Sequence, residues 1–370
     1  MIAVAVVLLL MAPRDASTFT FPHPAKSLSQ TRIDSRLFSS PADQDDASKL
    51  MDEVARIRAE IAALEGKTTE QVETEAASKK ADEKDRAEAD LIAASMAAVD
   101  IEKIAPDGGR FLPLPEDAED QIRQSASSAL RATADGISRQ AIRFALFPAE
   151  GGNLLEMSQW PGGAQQMYRE AARPFTEGMV RRIAALDRDG GLPPAVFAKD
   201  LLDFDGSGIV SSSGPEGTDG EERVRAIVLA NTDVKYIRDI QSADKEMGDR
   251  PLLLVNPFWR DIDSWGINIM APGARKMAET VIFNRPYEET YALNRLDVRG
   301  EACAALKAYP YDWQLFAYIE SDFNPNVEVA VRLGSTPGEP KSADFAKLIN
   351  DRPEFKLSKN MRMMQRMMGK

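Results

Sequence analysis

Four aliphatic residues in succession, Leu252 to Val255, entered through Pro251 and closed by Asn256-Pro257, predict a short strand buried on both faces of a sheet. Helices must then cover both faces. A central strand of a largely parallel sheet puts its carboxyl end, here Asn256, Trp259 and Arg260, at the crevice where such folds bind ligands. Upstream, strand and helix patterns alternate. Glu116, Asp117, Glu119 and Asp120 open a helix whose face continues through Ile122, Ala126, Leu130 and Ile137. Ala141 to Phe147 predicts a strand ended by Pro148, and Asn153 to Gln159 a loop leading to Trp160-Pro-Gly-Gly163. The helix that follows turns Met167, Ala171, Met179 and Ile183 inward and should restart at Pro174, since an interior proline costs about 3 kcal/mol. A strand near Phe197 to Phe204, an exposed Gly/Ser insert reaching Gly220, a strand Val224 to Ala230 and a helix Lys235 to Met247 lead up to Leu252.

Beyond Trp265, β-rich runs follow at short spacing: Thr280 to Phe283, Thr290 to Val298, Ala302 to Tyr309, Trp313 to Ile319 and Val327 to Leu333. They predict antiparallel meander strands that extend the sheet or form a second layer. A last helix, Ser342 to Ile349, turns Phe345 and Leu348 inward and closes before Pro353. Residues 110–355 therefore read as one α/β domain, a mainly parallel, Rossmann-like sheet covered by helices and extended by C-terminal antiparallel strands.

Two segments precede this domain. From Ala47 to Lys67, Leu50, Val54, Ile57, Ile61 and Leu64 alternate steps of four and three, the spacing of a coiled-coil seam, and Gly66 ends it. Thr68 to Asp90 is charged and almost free of large apolar side chains, which predicts a solvated helix or a disordered linker. Residues 41–109 form this acidic arm. Ahead of it, the apolar run Ile2 to Met11 has the length of a signal-peptide core, and the stretch from Phe19 is rich in Ser and Thr, with Lys26, Arg32 and Arg36 against Asp34. That predicts a bipartite presequence, signal peptide about 1–18 and transit peptide about 19–40, with plain secretion as the alternative. It resembles the presequences of algae whose plastids came by secondary endosymbiosis, and it implies delivery to the plastid, to the stroma or the stromal face of the thylakoid.

Composition narrows the chemistry. The chain of 370 residues carries a formal net charge of -12, which argues against nucleic acid or an anionic membrane as partner of the body. One cysteine, Cys303, and one histidine, His23, exclude intrachain disulfides and Cys/His zinc sites. With His23 in the presequence, Ser-His-Asp, Cys-His and His-metal chemistries drop out as well. Cys303 lies among alanines on a predicted strand, which points to a buried, inert thiol.

Three short motifs stand in register: Trp160-Pro-Gly-Gly163 with Gln165 and Gln166, Leu254-Val-Asn-Pro-Phe-Trp259, and Leu306-Lys-Ala-Tyr-Pro-Tyr-Asp-Trp313. In this order they resemble the plastid family of the domain of unknown function 1995, over roughly Leu112 to Phe355. Relatives include a photosystem II assembly factor of the low-photosystem-II-accumulation type and a plastid adenylate kinase that carries the domain as its C-terminal module. The resemblance implies a role beside photosynthetic complexes. Kinase activity does not carry over, because the chain has no Gly-x-x-x-x-Gly-Lys phosphate loop.

The candidate ligand or partner surface is Trp160, Gly162, Gly163, Gln166, Asn256, Trp259, Arg260, Tyr309 and Trp313. Free amides at the helix start after Gly163 suit an anion, and a tight turn with Trp160 in the core is the plainer account. Asp203-Phe-Asp-Gly-Ser-Gly-Ile-Val-Ser211 opens like a calcium loop but has Gly214 where the bidentate glutamate belongs, so a strand-to-loop turn is the better reading. The tail, 356–370, has Lys356, Lys359, Arg362, Arg366 and Lys370 without an acid, and Leu357, Met361, Met364 and Met368 on one helical face. Fifteen residues are too few for a stable free helix, so the tail should order only on an anionic membrane or a protein groove. No transmembrane segment, metal or cofactor is expected in the mature chain. The functional expectation is a non-catalytic plastid protein assisting assembly or maintenance of photosynthetic complexes at the thylakoid surface. The alternative is a regulator or enzyme binding a nucleotide or phosphate metabolite.

Overall fold

The computed structural model describes residues 56, 69–97, 102–105, 108–146, 160–186, 195–202, 206–213, 222–265, 273–285, 287–321 and 328–368. The expected presequence and the expected coiled-coil seam, apart from Arg56, lie outside the described residues. The chain divides into two units, Met1–Ser78 and Lys79–Lys370. The charged stretch after the seam is a solvated helix, α1 (Thr69–Ala97). A small antiparallel ribbon follows, β1 (Lys103–Ile104) with β2 (Arg110–Phe111).

Nine strands form the main sheet. They are β3 (Arg139–Arg143), β4 (Ala195–Leu202), β5 (Ser207–Ser213), β6 (Glu222–Val228), β7 (Leu252–Val255), β8 (Glu288–Val298), β9 (Glu301–Ala308), β10 (Trp313–Glu320) and β11 (Glu328–Thr336). Their order is β11-β10-β9-β8-β3-β7-β6-β5-β4. Only β3–β7, β3–β8 and β6–β7 pair in parallel, and the remaining neighbours are antiparallel. The sheet is thus mixed, with a four-stranded parallel centre, where the sequence predicts a mainly parallel one. The meander extends this sheet and forms no second layer. β7 is interior and buried along its whole length. Leu253 and Val255 enter one core and Leu252 and Leu254 the other, which is why the run lacks polar alternation.

One face is covered by α2 (Ala118–Ala134) and by the helix α3 (Gly163–Met167) that continues through a π turn, Tyr168–Ala172, into α4 (Arg173–Leu186). The predicted restart at Pro174 does not occur. The wide turn, with the Arg173 N–H donating to the Tyr168 carbonyl, lets the helix run on past a residue that has no N–H. Ile137 lies beyond α2, whose C-cap is Asp135. The other face carries α5 (Val234–Met247) and α6 (Ala274–Ala278) over β6 and β7, and α7 (Ser342–Asn350) over β9 to β11.

Two further expectations fail for tertiary reasons. Thr280 to Phe283 is helical, a π turn (Glu279–Phe283) prolonging α6. Ala274, Ala278 and Ile282 recur at four-residue spacing and are all buried, Ala278 and Ile282 in the core under α5, and this outweighs the β preference of Thr-Val-Ile-Phe. The supposed exposed Gly/Ser insert contains β5, a mostly buried strand between β4 and β6. Gly208 is required there because a methyl group would overlap the Tyr168 hydroxyl, and Gly206, at φ +62°, lies against the Ala164 backbone. Ser207 to Ser211 of the calcium-like stretch are therefore strand residues, and Asp203 to Asp205 lie outside the described residues.

Candidate functional site

Between α5–α6 and α7, on one face of the sheet, β3 and β8 carry a seam of charge. Residues directly opposite in a ladder share a face, so Arg139 opposite Leu252, and Arg143 opposite Ala292, both project between the two helical layers. At the amino end of the seam, Arg139 Nε donates to Asp244 Oδ1 at 2.5 Å and its other nitrogens reach the carbonyls of Asp244, Gly248 and Arg250. Asp244 also pairs with Arg285. These bonds clamp the end of α5 to β3.

At the carboxyl end, Arg143 Nε donates to Glu289 Oε1 at 3.0 Å, and its terminal nitrogens hold the carbonyls of Pro257 (3.3 Å) and Trp259 (2.8 Å). Burial lowers the Arg143 pKa, and burial raises that of Glu289 despite the facing guanidinium. Further out, Arg260 pairs with Glu339 and donates to Asn294 Oδ1 at 3.3 Å, while Asn294 Nδ2 donates to Glu339 at 3.3 Å. Both members of the Arg260–Glu339 pair are exposed, and Phe258 beside them is 39% exposed. The arrangement can present charge in fixed positions to a partner.

Asn256, Trp259 and Arg260 do meet at this end, in different capacities. Asn256 sits at φ +46° with its side chain bonded to the Phe144 backbone, and Trp259 is buried against Trp265 with ring centroids 5.2 Å apart. Of the three, only Arg260 is available at the surface. Trp160 is buried in the core on the opposite face. Gln166 Oε1 accepts from the Gly162 N–H at 2.9 Å, so the helix start considered for an anion is capped from within, and Gly163 adopts φ +66°. Tyr309 and Trp313 flank the β9–β10 turn at the amino end of β8. Tyr309 donates to Asp135 at 2.8 Å, which raises its pKa, and Trp313 is buried in the core below α7. The three motifs therefore do not converge on one pocket. Arg143, Glu289, Asn294 and Glu339 escape the sequence reading, although arginines at both ends of Arg139-Gln-Ala-Ile-Arg143 signal a strand with a charged stripe.

The tail differs from expectation. It is ordered on its own chain as α8 (Lys359–Met367). Arg362, assigned to a membrane or partner, is buried: it donates to both Glu301 oxygens (2.9 and 2.8 Å) and to Glu320 (3.1 Å). Lys359 pairs with Glu328. Met361, Met364 and Met368 remain outward, at 52%, 60% and 62% exposure. Of Arg366 only the backbone, in α8, is described. Cys303 is buried, which pushes its thiol up to about 12.

Residues 115–346 match the family described as Domain of unknown function (DUF1995). The chain belongs to this family. The DUF1995 match takes in the whole main sheet, from β3 to β11, and the first part of α7, and it includes every residue of the charged seam. Comparison with curated proteins and with solved structures gives no match. No described helix is long and apolar enough to cross a membrane.

Proposed function

We propose that this DUF1995 protein is a non-catalytic plastid protein that assists assembly or maintenance of photosynthetic complexes at the thylakoid surface. Its client-facing surface is the carboxyl end of the parallel strands. The observation that carries this reading is the exposed Arg260–Glu339–Asn294 bridge beside Phe258, a fixed pattern of charge next to an exposed aromatic ring. The presequence composition supports the plastid address. A membrane contact through the tail loses two of its five cations, because Lys359 is paired with Glu328, and Arg362 with Glu301 and Glu320. Thylakoid association in this reading comes from the client complexes. Affinity purification of the tagged protein from intact plastids tests it: photosystem subunits should co-purify with the wild type and be lost with Phe258→Asp and Arg260→Glu. Purification free of such subunits refutes it.

A second reading, a nucleotide or phosphate-metabolite site, is favoured by Arg143 and Arg260 at the same strand ends. A phosphate would have to displace Glu289 or Glu339. A thermal-shift screen with ATP, ADP, AMP and sugar phosphates decides, since a ligand at a hundred times its dissociation constant adds about 2.7 kcal/mol. No shift with any of them discards it.

A further inference from the structure

Between the carboxyl-terminal turns of α2 and α4, over the amino ends of β6 and β7, lies a cavity of about 130 Å³. Its floor is made by the buried side chains of Ala129 on α2, Ile183 on α4, Val224 on β6 and Leu253 on β7. All four belong to the core on the face of the sheet opposite the charged seam. Leu130, Arg223 and Pro251, half-buried, form the rim with the exposed Thr133, and there the cavity meets solvent. An alanine at 129 leaves unfilled the space that a longer side chain would take, so the floor residues lack contacts on that side.

The polar groups at the cavity are already bonded. The Thr133 hydroxyl donates to the Ala129 carbonyl at 2.9 Å and accepts from Gln140 Nε2 at 2.9 Å, and the same carbonyl takes a second bond from Gln140 at 3.1 Å. The Pro251 carbonyl accepts from the Arg225 N–H at 3.1 Å, Val224 and Leu253 are paired in the sheet, and Arg223 is engaged as well. No lining side chain holds a buried nitrogen or oxygen without a partner. A water molecule inside a protein makes about three hydrogen bonds, which these walls do not offer, whereas an apolar cavity of about 150 Å³ stays dry and takes up benzene.

We propose that this cavity is a binding site for a small neutral hydrophobe of about benzene's size, a free molecule that enters past Leu130 and Thr133. The volume admits one six-membered ring and not a long acyl chain. A charged or hydrogen-bonding ligand would have to displace a bond the protein already makes, and so would bind less well than an apolar one of the same shape. The site is independent of the client-facing surface, which lies at the carboxyl ends of the parallel strands.

Benzene titrated into the full chain, with the methyl groups of Ile, Leu and Val observed by NMR, tests this. The methyl resonances of Leu130, Ile183, Val224 and Leu253 should shift together and saturate, while those of the exposed Val329 on β11 stay in place. The melting temperature should rise with benzene. Ala129→Leu fills the cavity, so both responses should be lost while the free variant melts at or above the wild type. Where overpacking unfolds that variant, Val224→Ile decides: one added methylene should weaken binding by about fourfold or more. Benzoate, the same ring with a charge, should leave the four methyl signals unmoved. Benzene that shifts none of them, or shifts exposed methyls equally, overturns the proposal. So does benzene binding that survives Ala129→Leu in a folded chain, and so does benzoate that binds as well as benzene.

Discussion

The side-chain amide of Asn256 completes a rung of sheet with the backbone of Phe144: Oδ1 accepts from the Phe144 N–H at 2.9 Å and Nδ2 donates to its carbonyl at 2.8 Å. The parallel pairing of β3 and β7 would otherwise end one residue earlier, because Asn256 turns into the left-handed region at φ +46° and Pro257 follows. Asparagine meets both demands, since its short amide mimics a peptide group and it tolerates positive φ. This rung holds the base of the loop that carries Trp259 and Arg260.

Asn256→Ala removes two hydrogen bonds and leaves a β-carbon in a disfavoured backbone conformation. It should cost about 3 kcal/mol, and Asn256→Gly about 1 kcal/mol less, because glycine relieves the backbone strain alone. Urea denaturation measures both. Equal losses for the two variants would show that the φ value contributes nothing.

Truncation after Phe355 should lower the melting temperature, contrary to the expectation for a tail outside the core. Removing Arg362 takes from Glu301 and Glu320, 3% and 5% exposed, the guanidinium that binds both, and breaking a buried pair costs about 3–5 kcal/mol. Converting both glutamates to glutamine in the truncated chain should recover part of the loss. A truncated chain that melts with the wild type would mean that α8 is not seated in solution.

The same pairing sets an acid limit. Burial opposes ionisation of Glu320, but the hydrogen bond from Arg362 and its charge prevail, and the folded pKa lies below the ordinary 4.5. A depressed carboxylate pKa contributes stability that is present above the unfolded value and lost as pH falls through the folded one. Release of α8, followed by proteolysis near Leu357, should therefore begin only below about pH 4.5. Release already at neutral pH would contradict it.

Glu289 has the opposite sign. Burial raises its pKa in spite of Arg143, so its contribution is complete below the unfolded value and declines as pH rises through the folded value. Relative to Glu289→Gln, the wild type should lose stability as pH rises from below the ordinary carboxylate range to above it. Parallel melting curves of the two proteins across this range would contradict the assignment.

Gly208→Ala should cost about 1–3 kcal/mol, because the new methyl group meets the Tyr168 hydroxyl inside a close-packed core. Calorimetry checks the value, and partial recovery on combining it with a smaller residue at 168 would locate the clash.

Local pattern alone determined a good deal. Leu252 to Val255 is an interior strand because a four-residue apolar run can be buried nowhere else, and α5 and α7 follow from their periodic apolar faces. Asn256, Trp259 and Arg260 were legible as the end of that strand. Partners distant in the chain decided the rest. The Ser- and Gly-rich β5 is a strand only because β4 and β6 supply its hydrogen bonds and Tyr168 closes over Gly208. Thr280 to Phe283 is helical only because α5 offers a core to Ala278 and Ile282. The seam needed residues as far apart as Arg143, Glu289 and Glu339 to be brought together, and the tail changed from a mobile cation into a docked helix through Glu301 and Glu320. Periodicity reports which side of an element is apolar, whereas the energy of a buried charge depends on what faces it across the fold, and no stretch of sequence carries that information by itself.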